Sequence, residues 1–359
     1  MENWNNALFG VFDASSDAVA VVRLGSIIYL NTPARKLFGE DALHRPAADY
    51  FSALMLESEE SPVAGNVTVG EWSLPVTSVR VDDLRVLTVY PDQGPFAPND
   101  TALLGSVGAA LKNQLAVCAT GLGLLNGRVR ESSDIRSVRY TAMVDKAFHS
   151  MERIVSHCGS FLGDGDWTLH ESTVDIPMLV SELVSTVAYL TEDKGVTLTW
   201  SSDCRELTYY GDGAKLERML LHLLSNSLKY TPRGGKITVS VKSAPGGVRL
   251  SVRDNGRGIR PEVFNTVFSR YRAERDLSDA DAGAGLGLPL VQRIAVLHGG
   301  HAILESKPDV GTTVTVFLPF REPPEEVLRS TGVEYKNPLA VFLTELADVL
   351  AYTAYIREE

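Results

Sequence analysis

The stretch HLLSNSLKYTP, at His222–Pro232, decides the fold of this 359-residue chain together with DNGRG at 254–258 and GAGLGL at 283–288. Each stretch suits one part of a nucleotide. An asparagine amide can hold Mg²⁺, an aspartate before a glycine turn can accept a hydrogen bond from an exocyclic amine, and a glycine-rich loop can wrap phosphates. Glycine-rich loops occur in many turns, so each stretch alone is a weak signal. The three stretches in this order predict an ATP pocket.

Length and composition limit the classes of protein. A chain of 359 residues with 44% apolar content is expected to form two or three globular units. The net charge of -11 disfavours nucleic acid or an anionic membrane as a partner. The three cysteines, Cys118, Cys158 and Cys204, lack metal-ligand spacing and are predicted to be small core residues in a reducing compartment. The sequence has neither a signal region nor an apolar run approaching about 20 residues, so we expect a cytoplasmic protein without a membrane span.

Residues 1–95 are predicted to form a small α+β unit. Leu24-Gly25 indicates a hairpin, and a short helix is expected from Ala34 to Phe38. Strands are predicted at five β-branched runs: Val19–Val22, Ser26–Leu30, Val67–Leu74, Thr77–Val81 and Leu84–Tyr90. The arrangement, headed by DAVAVVRLGSIIYLNTPARKLFG, resembles a PAS domain, whose sheet and helices usually enclose a sensing pocket. Ligand sensing and dimerisation alone are both open, and no residue indicates a haem or flavin.

Residues 96–166, after a Pro/Gly linker at 91–98, have helical periodicity in two segments joined by the polar stretch Arg130–Arg136. This pattern predicts an antiparallel helical hairpin that pairs with a second copy as a dimeric four-helix bundle. The predicted seam residues of the two helices are Leu104, Val107, Leu111, Leu115, Cys118, Leu122, Leu125 and Val129, and then Tyr140, Val144, Phe148, Met151, Val155, Cys158 and Leu162.

Residues 167–321 alternate between helix and strand and predict an α/β sandwich with one open face. Asp212 is a plausible N-cap for the helix that carries the first stretch, and residues 269–284 are expected to form a mobile loop. The predicted helices are Ile176–Leu190, 212–229, Pro261–Phe268 and Leu286–His298, and the predicted strands are Val196–Trp200, Leu207–Tyr210, Lys236–Ser243, Val248–Arg253, His301–Ser306 and Thr312–Leu318.

With these three stretches and this order of elements, the chain resembles a sensor histidine kinase whose ATP-binding domain, of the GHKL (Bergerat) fold, is at 167–321. The resemblance implies that Asn226 is a Mg²⁺ ligand, that Lys229 approaches the phosphates, and that Asp254 accepts from the adenine amino group. Ser227 departs from the usual alanine of this motif. Phe268, Arg270 and Tyr271 resemble the box that supports the loop over the nucleotide. The other residues implied at the ATP site are Tyr230, Gly256, Gly258, Ile259, Arg270, Gly283, Gly285, Leu286, Gly287, Leu288, Thr312 and Thr313.

His222 lies one helical turn before Asn226, on the same face. ATP-hydrolysing relatives of this fold have a glutamate there to activate water. This chain has no glutamate at that position, so an ATP-hydrolysing protein of the GHKL fold is disfavoured. The predicted bundle helices argue against a serine kinase on the same fold. His222 is expected either near the phosphates or hydrogen-bonded at the helix face.

The phosphoacceptor box of histidine kinases commonly reads His, acid, Leu, Arg or Lys, Thr or Asn, Pro, Leu. The aligned stretch here is AALKNQL at 109–115, so Ala109 replaces the nucleophile and Ala110 the acid that would orient it. His149 and His157, on the second predicted helix, lack this box and are interpreted as polar surface residues.

The tail, residues 322–359, has helical spacing and predicts an amphipathic helix docked on the protein itself or on a partner. Glu345 and Asp348 are expected on its other faces. The apolar positions are Leu339, Phe342, Leu343, Leu346, Val349, Leu350 and Ile356.

The sequence therefore predicts a homodimeric sensor-kinase homologue of two-component signalling that binds ATP and Mg²⁺ but cannot be phosphorylated at Ala109. The alternative is a pseudokinase scaffold that binds ATP and regulates a response regulator or a partner kinase.

Overall fold

The computed structural model describes residues 9, 11–59, 61–69, 72–90, 115, 118, 122, 129, 135–161, 167–260, 287–322 and 338–356. Within these ranges twelve strands and seven α-helices can be followed along the chain.

The N-terminal unit is an antiparallel sheet with two short helices. Its strands are β1 (Ala18–Arg23), β2 (Ser26–Leu30), β3 (Val63–Val69), β4 (Trp72–Val81) and β5 (Leu84–Val89), and its helices are α1 (Thr32–Phe38) and α2 (Ala53–Glu57). Asn31 organises the start of α1, because its buried side-chain oxygen accepts from Ala34 N at 3.0 Å and from Val19 N at 2.9 Å. The single strand predicted at Val67–Leu74 is wrong, since this apolar run covers the end of β3 and the start of β4.

The second unit alternates between helix and strand, as predicted. Its strands are β6 (Ser172–Asp175), β7 (Thr197–Ser202), β8 (Thr208–Gly211), β9 (Lys236–Ala244), β10 (Gly247–Asp254), β11 (His301–Lys307) and β12 (Gly311–Pro319), and its helices are α4 (Ile176–Leu190), α5 (Gly213–Tyr230) and α6 (Gly287–Leu297). Strands β7, β9, β10, β12 and β11 lie side by side in that order, and the three helices pack on them. Apolar side chains of α5, including Leu216, Met219 and Leu223, are buried in the main core.

The two units share one ten-stranded sheet. β3 pairs antiparallel with β11, with Gly65 opposite Ile303 and Ala64 opposite Leu304. A Cβ at Gly65 would lie 3.3 Å from the backbone oxygen of Ala302, so glycine permits this close approach.

The second hairpin helix is observed as α3 (Ile135–Phe161), and within a single chain only part of its predicted seam is buried. Phe148 is buried as expected, whereas Tyr140, Val144 and Met151 are exposed. Most of the first predicted hairpin helix lies outside the described residues. The positions of this segment that the structure describes are Leu115, Cys118, Leu122 and Val129, and all four are helical.

The C-terminal segment packs on the protein itself, in agreement with one of the two expectations. Its helix, α7 (Pro338–Glu345), is shorter than predicted; turns and a short 3₁₀ helix at Tyr352–Tyr355 follow it. The segment contacts α3 and α5. Glu345, which was expected on another face than the apolar residues, is only 5% exposed.

Two further expectations from the sequence concern the burial of the cysteines and the absence of a membrane-spanning helix. Cys118 is exposed and Cys204 is half-buried, so the prediction that these cysteines are core residues is wrong for Cys118. Among the described helices, none combines the length and the apolar character needed to cross a lipid bilayer.

Candidate nucleotide site

Helix α5 is fixed at its start by Asp212, which confirms the predicted N-cap. One carboxylate oxygen accepts from Lys215 N at 3.0 Å; the other accepts from Lys215 Nζ at 2.8 Å and from His170 N at 3.0 Å. Burial alone would raise the pKa of the Asp212 carboxyl, but these hydrogen bonds and the lysine charge hold it below its usual range. The helix start is therefore well determined, and it sets the position of Asn226 nearly four turns later.

Asp254 ends strand β10 and is held by three neutral donors. Its Oδ1 accepts from Gly256 N at 2.9 Å and from Thr312 N at 3.2 Å, and its Oδ2 accepts from Ser227 Oγ at 3.2 Å. Burial raises the pKa of this carboxyl despite the three hydrogen bonds, which lower it. A buried carboxylate with neutral partners is suited to accept a further hydrogen bond from a neutral amine.

The two glycines after Asp254 allow backbone segments to meet. A Cβ at Gly256 would lie 2.4 Å from Tyr230 O, and one at Gly258, where φ is +67°, would lie 2.1 Å from Lys307 O. The turn therefore packs between the end of α5 and the β11–β12 connection. The atoms nearest to these two glycines are thus mostly the protein's own backbone.

The third sequence stretch, at 283–288, lies against the first stretch, at 222–232, where Gly287 approaches Asn226. A Cβ at Gly287, the first residue of α6, would lie 3.2 Å from Asn226 Nδ2. Asn226 and Lys229 are half-buried, whereas Tyr230 is exposed and carries Arg257 over its ring at 4.5 Å from the centroid.

The opposite side of the site is formed by β11 and β12. Thr312 contributes its backbone N–H to Asp254, while its hydroxyl contacts Ser306 Oγ at 2.9 Å. Thr313 lies opposite Arg253 in the β10–β12 ladder. Ser306 also accepts from Ile259 N at 2.9 Å, and it was missed in the sequence because a single serine at a strand end has no motif. Ile259 and Leu288 pack partly buried against the main core.

Several predicted site residues lie outside the described residues: Ala109, Ala110, Phe268, Arg270, Tyr271, Gly283, Gly285 and Leu286. Their assignment stays a prediction.

The expectation that His222 is hydrogen-bonded at the helix face is wrong. It is completely buried, and neither ring nitrogen has a hydrogen-bond partner. Its ring lies edge-on to His157, with centroids 4.6 Å apart, and its Nδ1 is 3.4 Å from Glu345 Oε2. The C-terminal segment therefore reaches the helix face one turn before Asn226.

The surface interpretation of His149 and His157 is also wrong. They are 7% and 4% exposed, because the C-terminal segment covers this face of α3. His149 Nδ1 contacts Thr344 Oγ1 at 2.8 Å, and His157 Nε2 contacts Glu345 Oε2 at 3.1 Å. Their helical position alone gave no sign of burial, since the covering residues are almost 200 positions further along the chain.

Two family models match the chain. Residues 211–322 match the histidine kinase-, DNA gyrase B- and HSP90-like ATPase family, and residues 7–65 match the PAS domain family.

Individual relatives match in part. The sensor protein DivL of Caulobacter vibrioides is 43% identical over 132 residues, which cover 36% of this chain and 16% of DivL. The sensor histidine kinase WalK of Bacillus subtilis is 26% identical over 337 residues, which cover 86% of this chain and 54% of WalK. The crystal structure of full-length ShkA in complex with AMPPNP is 21% identical and has a TM-score of 0.49; the match covers 63% of this chain and 46% of ShkA. The chain thus spans between about a sixth and about half of these proteins.

Proposed function

We propose that this chain, which combines a PAS domain with the ATP-binding domain of histidine kinases, is a two-component signalling protein that binds ATP with Mg²⁺ and is not phosphorylated at position 109. One observation carries the proposal: the three sequence stretches meet. Ser227 of the first contacts Asp254 of the second, and Gly287 of the third lies against Asn226.

In the proposed complex, Asp254 accepts from the adenine amino group and thereby selects adenine over guanine, which has a carbonyl at that position. Asn226 supplies an oxygen ligand to Mg²⁺, which keeps most of its waters. The start of α6 at Gly287 directs backbone N–H groups toward the phosphates, and Lys229 contributes a positive charge.

Isothermal titration with ATP, with and without Mg²⁺, tests the site. A hydrogen bond to a charged group contributes about 1.5–3 kcal/mol, so Asp254→Asn should weaken ATP binding at least roughly tenfold. Asp203→Asn is the matched control, because Asp203 is an exposed carboxylate of the same domain that accepts from Ser243 N. No heat of ATP binding in the unmodified protein, or equal affinities in both variants, would contradict the proposed site.

The proposed reaction is transfer of the γ-phosphoryl group to a side chain of another protein. Such transfer depends mostly on positioning and charge neutralisation, and Ala109 offers no nucleophile for transfer within the chain. Incubation with radiolabelled ATP and candidate partner kinases or response regulators, followed by acid treatment, should reveal an acid-labile phosphohistidine on a partner kinase. If neither this chain nor any candidate is labelled, the kinase activity is excluded.

A pseudokinase scaffold is the second candidate function, and the pair Ala109-Ala110 favours it, because both the nucleophile and its orienting acid are replaced. In this case ATP binds without turnover and changes how the chain holds a response regulator or partner kinase. Ala109→His combined with Ala110→Glu separates the two candidates. Gained autophosphorylation shows that only the acceptor had been lost, whereas ATP binding without any phosphorylation supports the scaffold.

The proposed homodimer is supported by the outward face of α3. This face carries six exposed apolar side chains: Ile135, Tyr140, Met143, Val144, Met151 and Ile154. Six apolar side chains along one helix are typical of a surface that packs against another helix. Light scattering should give a dimer mass for the unmodified chain and a monomer mass after Val144→Glu with Met151→Glu. A monomer mass for the unmodified chain would contradict the proposal.

A further inference from the structure

Three buried side chains from three distant segments converge beside the candidate nucleotide site. They are His157 of α3, His222 of α5 and Glu345 of α7, which are 4%, 0% and 5% exposed. The ligand atoms of these three residues all lie within 4.8 Å of one another. We propose that they form a binding site for Zn²⁺.

The distances from the carboxylate oxygen to the two histidine nitrogens fit this metal. Zinc binds imidazole nitrogen and carboxylate oxygen at about 2.0–2.2 Å, which places neighbouring ligands about 3.3 Å apart in a tetrahedral site. Glu345 Oε2 is 3.1 Å from His157 Nε2 and 3.4 Å from His222 Nδ1. Two nitrogens and one oxygen suit zinc, whereas Mg²⁺ and Ca²⁺ prefer oxygen ligands alone.

The environment of His222 gives an independent reason for a ligand. Both of its ring nitrogens are buried without a hydrogen-bond partner, and leaving a buried polar group in that state is unfavourable. Such groups are rare and often indicate a missing ion. Burial lowers the pKa of both imidazoles.

The charged groups around the cluster leave one carboxylate oxygen for the metal. Arg218 Nε donates to Glu345 Oε1 at 2.8 Å and Arg218 Nη2 donates to Ser156 Oγ at 2.8 Å, so this arginine orients the carboxylate through the oxygen that does not contact the histidines. Arg153 lies 3.9 Å from Oε2 and pairs more closely with Asp348, at 2.6 Å. The two arginines oppose a dication, and we therefore expect weaker binding than at a cysteine-rich zinc site.

The proposed site differs from the proposed Mg²⁺ site at Asn226 in both ligands and place. It would connect the second hairpin helix, the helix of the nucleotide site and the C-terminal segment. Bound zinc would thus stabilise the folded chain by mass action.

The experiment uses the untagged full-length chain, loaded with zinc sulfate, passed through metal-free buffer and measured by atomic emission. We expect about one Zn²⁺ per chain, and less than a tenth of that in His157→Ala, His222→Ala and Glu345→Gln. His149→Ala is the matched control, since it removes a buried histidine of the same helix that contacts Thr344 instead of the cluster. Asn226→Ala should likewise keep its zinc.

A measurement on the unmodified chain avoids any dependence on the folding of variants. Co²⁺ in place of zinc should give the visible absorption of a four-coordinate site, with the three side chains and one water as ligands, and should raise the melting temperature as its concentration increases. Zinc below a tenth of an equivalent in the unmodified chain, together with no such spectrum, would show that the cluster is only hydrogen-bonded and would overturn the proposal. Equal zinc loss in His149→Ala would place the metal elsewhere and would also overturn it.

Discussion

His301, the first residue of β11, shows how its surroundings set the charge of a side chain. Its Nε2 is buried without a hydrogen-bond partner, and its ring lies 5.5 Å from that of Phe317. Burial, together with the nearby charge of Arg249, lowers the pKa of His301 to about 4. The folded protein therefore keeps this imidazole neutral at a pH where an unfolded chain would bind a proton.

This shift predicts an acid-dependent loss of stability. Because the folded pKa lies below the unfolded value of about 6.5, the contribution of His301 is complete above pH 6.5 and is lost as the pH falls from 6.5 to 4. His301→Leu should reduce the difference in unfolding free energy between pH 7 and pH 4 by about 2–3 kcal/mol. Urea unfolding at both pH values measures this, and an unchanged difference would show that His301 is hydrated in solution.

At the scale of the element, the stability of helix α5 depends on its N-cap. Asp212 combines a capping hydrogen bond with the charge of Lys215. Asp212→Ala should lower the unfolding free energy by about 2 kcal/mol, because it removes both. Asp212→Asn is the matched variant that keeps the cap acceptor and should lose clearly less. Denaturant unfolding measures both variants, and equal losses would mean that the ion pair, and not the cap, stabilises the helix.

The turn after β10 is the second element that positions the site. Gly258 and Gly234 both have positive φ, but a Cβ at Gly258 would meet Lys307 O at 2.1 Å, whereas one at Gly234 would meet nothing within 4 Å. Gly234→Ala should cost only the backbone strain of about 1–2 kcal/mol. Gly258→Ala should cost at least about 1 kcal/mol more and should also weaken ATP binding, because the turn must move away from β11. Thermal unfolding and ATP titration of both variants compare them directly, and equal costs would contradict this close approach.

At the scale of the whole molecule, the C-terminal segment is part of the main core. Leu343, Leu346 and Leu350 are at most 1% exposed and belong to the same apolar cluster as the residues of α5. Tyr355 closes the segment by donating its hydroxyl hydrogen to Leu343 O at 2.7 Å. The segment is therefore expected to contribute to stability as core residues do.

Leu346→Ala tests this contribution. Truncation of a fully buried leucine removes its buried surface and leaves a cavity, so the unfolding free energy should fall by about 2–5 kcal/mol. Leu339→Ala, in the same segment but at a 42% exposed position, should change it by less than about 0.5 kcal/mol. If Leu346→Ala behaves like Leu339→Ala in denaturant unfolding, the segment is not docked in solution.

The PAS and ATP-binding units also share their apolar cores. Ala64 of β3 is buried in the core of the ATP-binding unit, and Ile303 of β11 is buried in the core of the PAS unit. Together with the β3–β11 ladder, this exchange places the PAS unit directly beside β11, which carries Ser306 and is the neighbour of β12 with Thr312.

Much of the fold was predictable, because its signals are local. The alternation of helix and strand in the second unit, the cap at Asp212 and the three stretches of the candidate site all depend on residue types within a few positions of each other. The error at Val67–Leu74 was avoidable, since Gly70-Glu71 lies between the end of β3 at Val69 and the start of β4 at Trp72, and a glycine inside a strand pattern indicates a break.

The sequence by itself determined most of the elements, their order and the residue types at the candidate nucleotide site, because periodicity, caps and glycine turns depend on neighbouring residues. Only the tertiary structure decided that β3 joins β11, that α3 turns its polar face inward, and that Glu345 reaches His157 and His222. His157 and Glu345 are 188 positions apart. A contact between residues so distant depends on how the elements pack, and no local pattern records that packing.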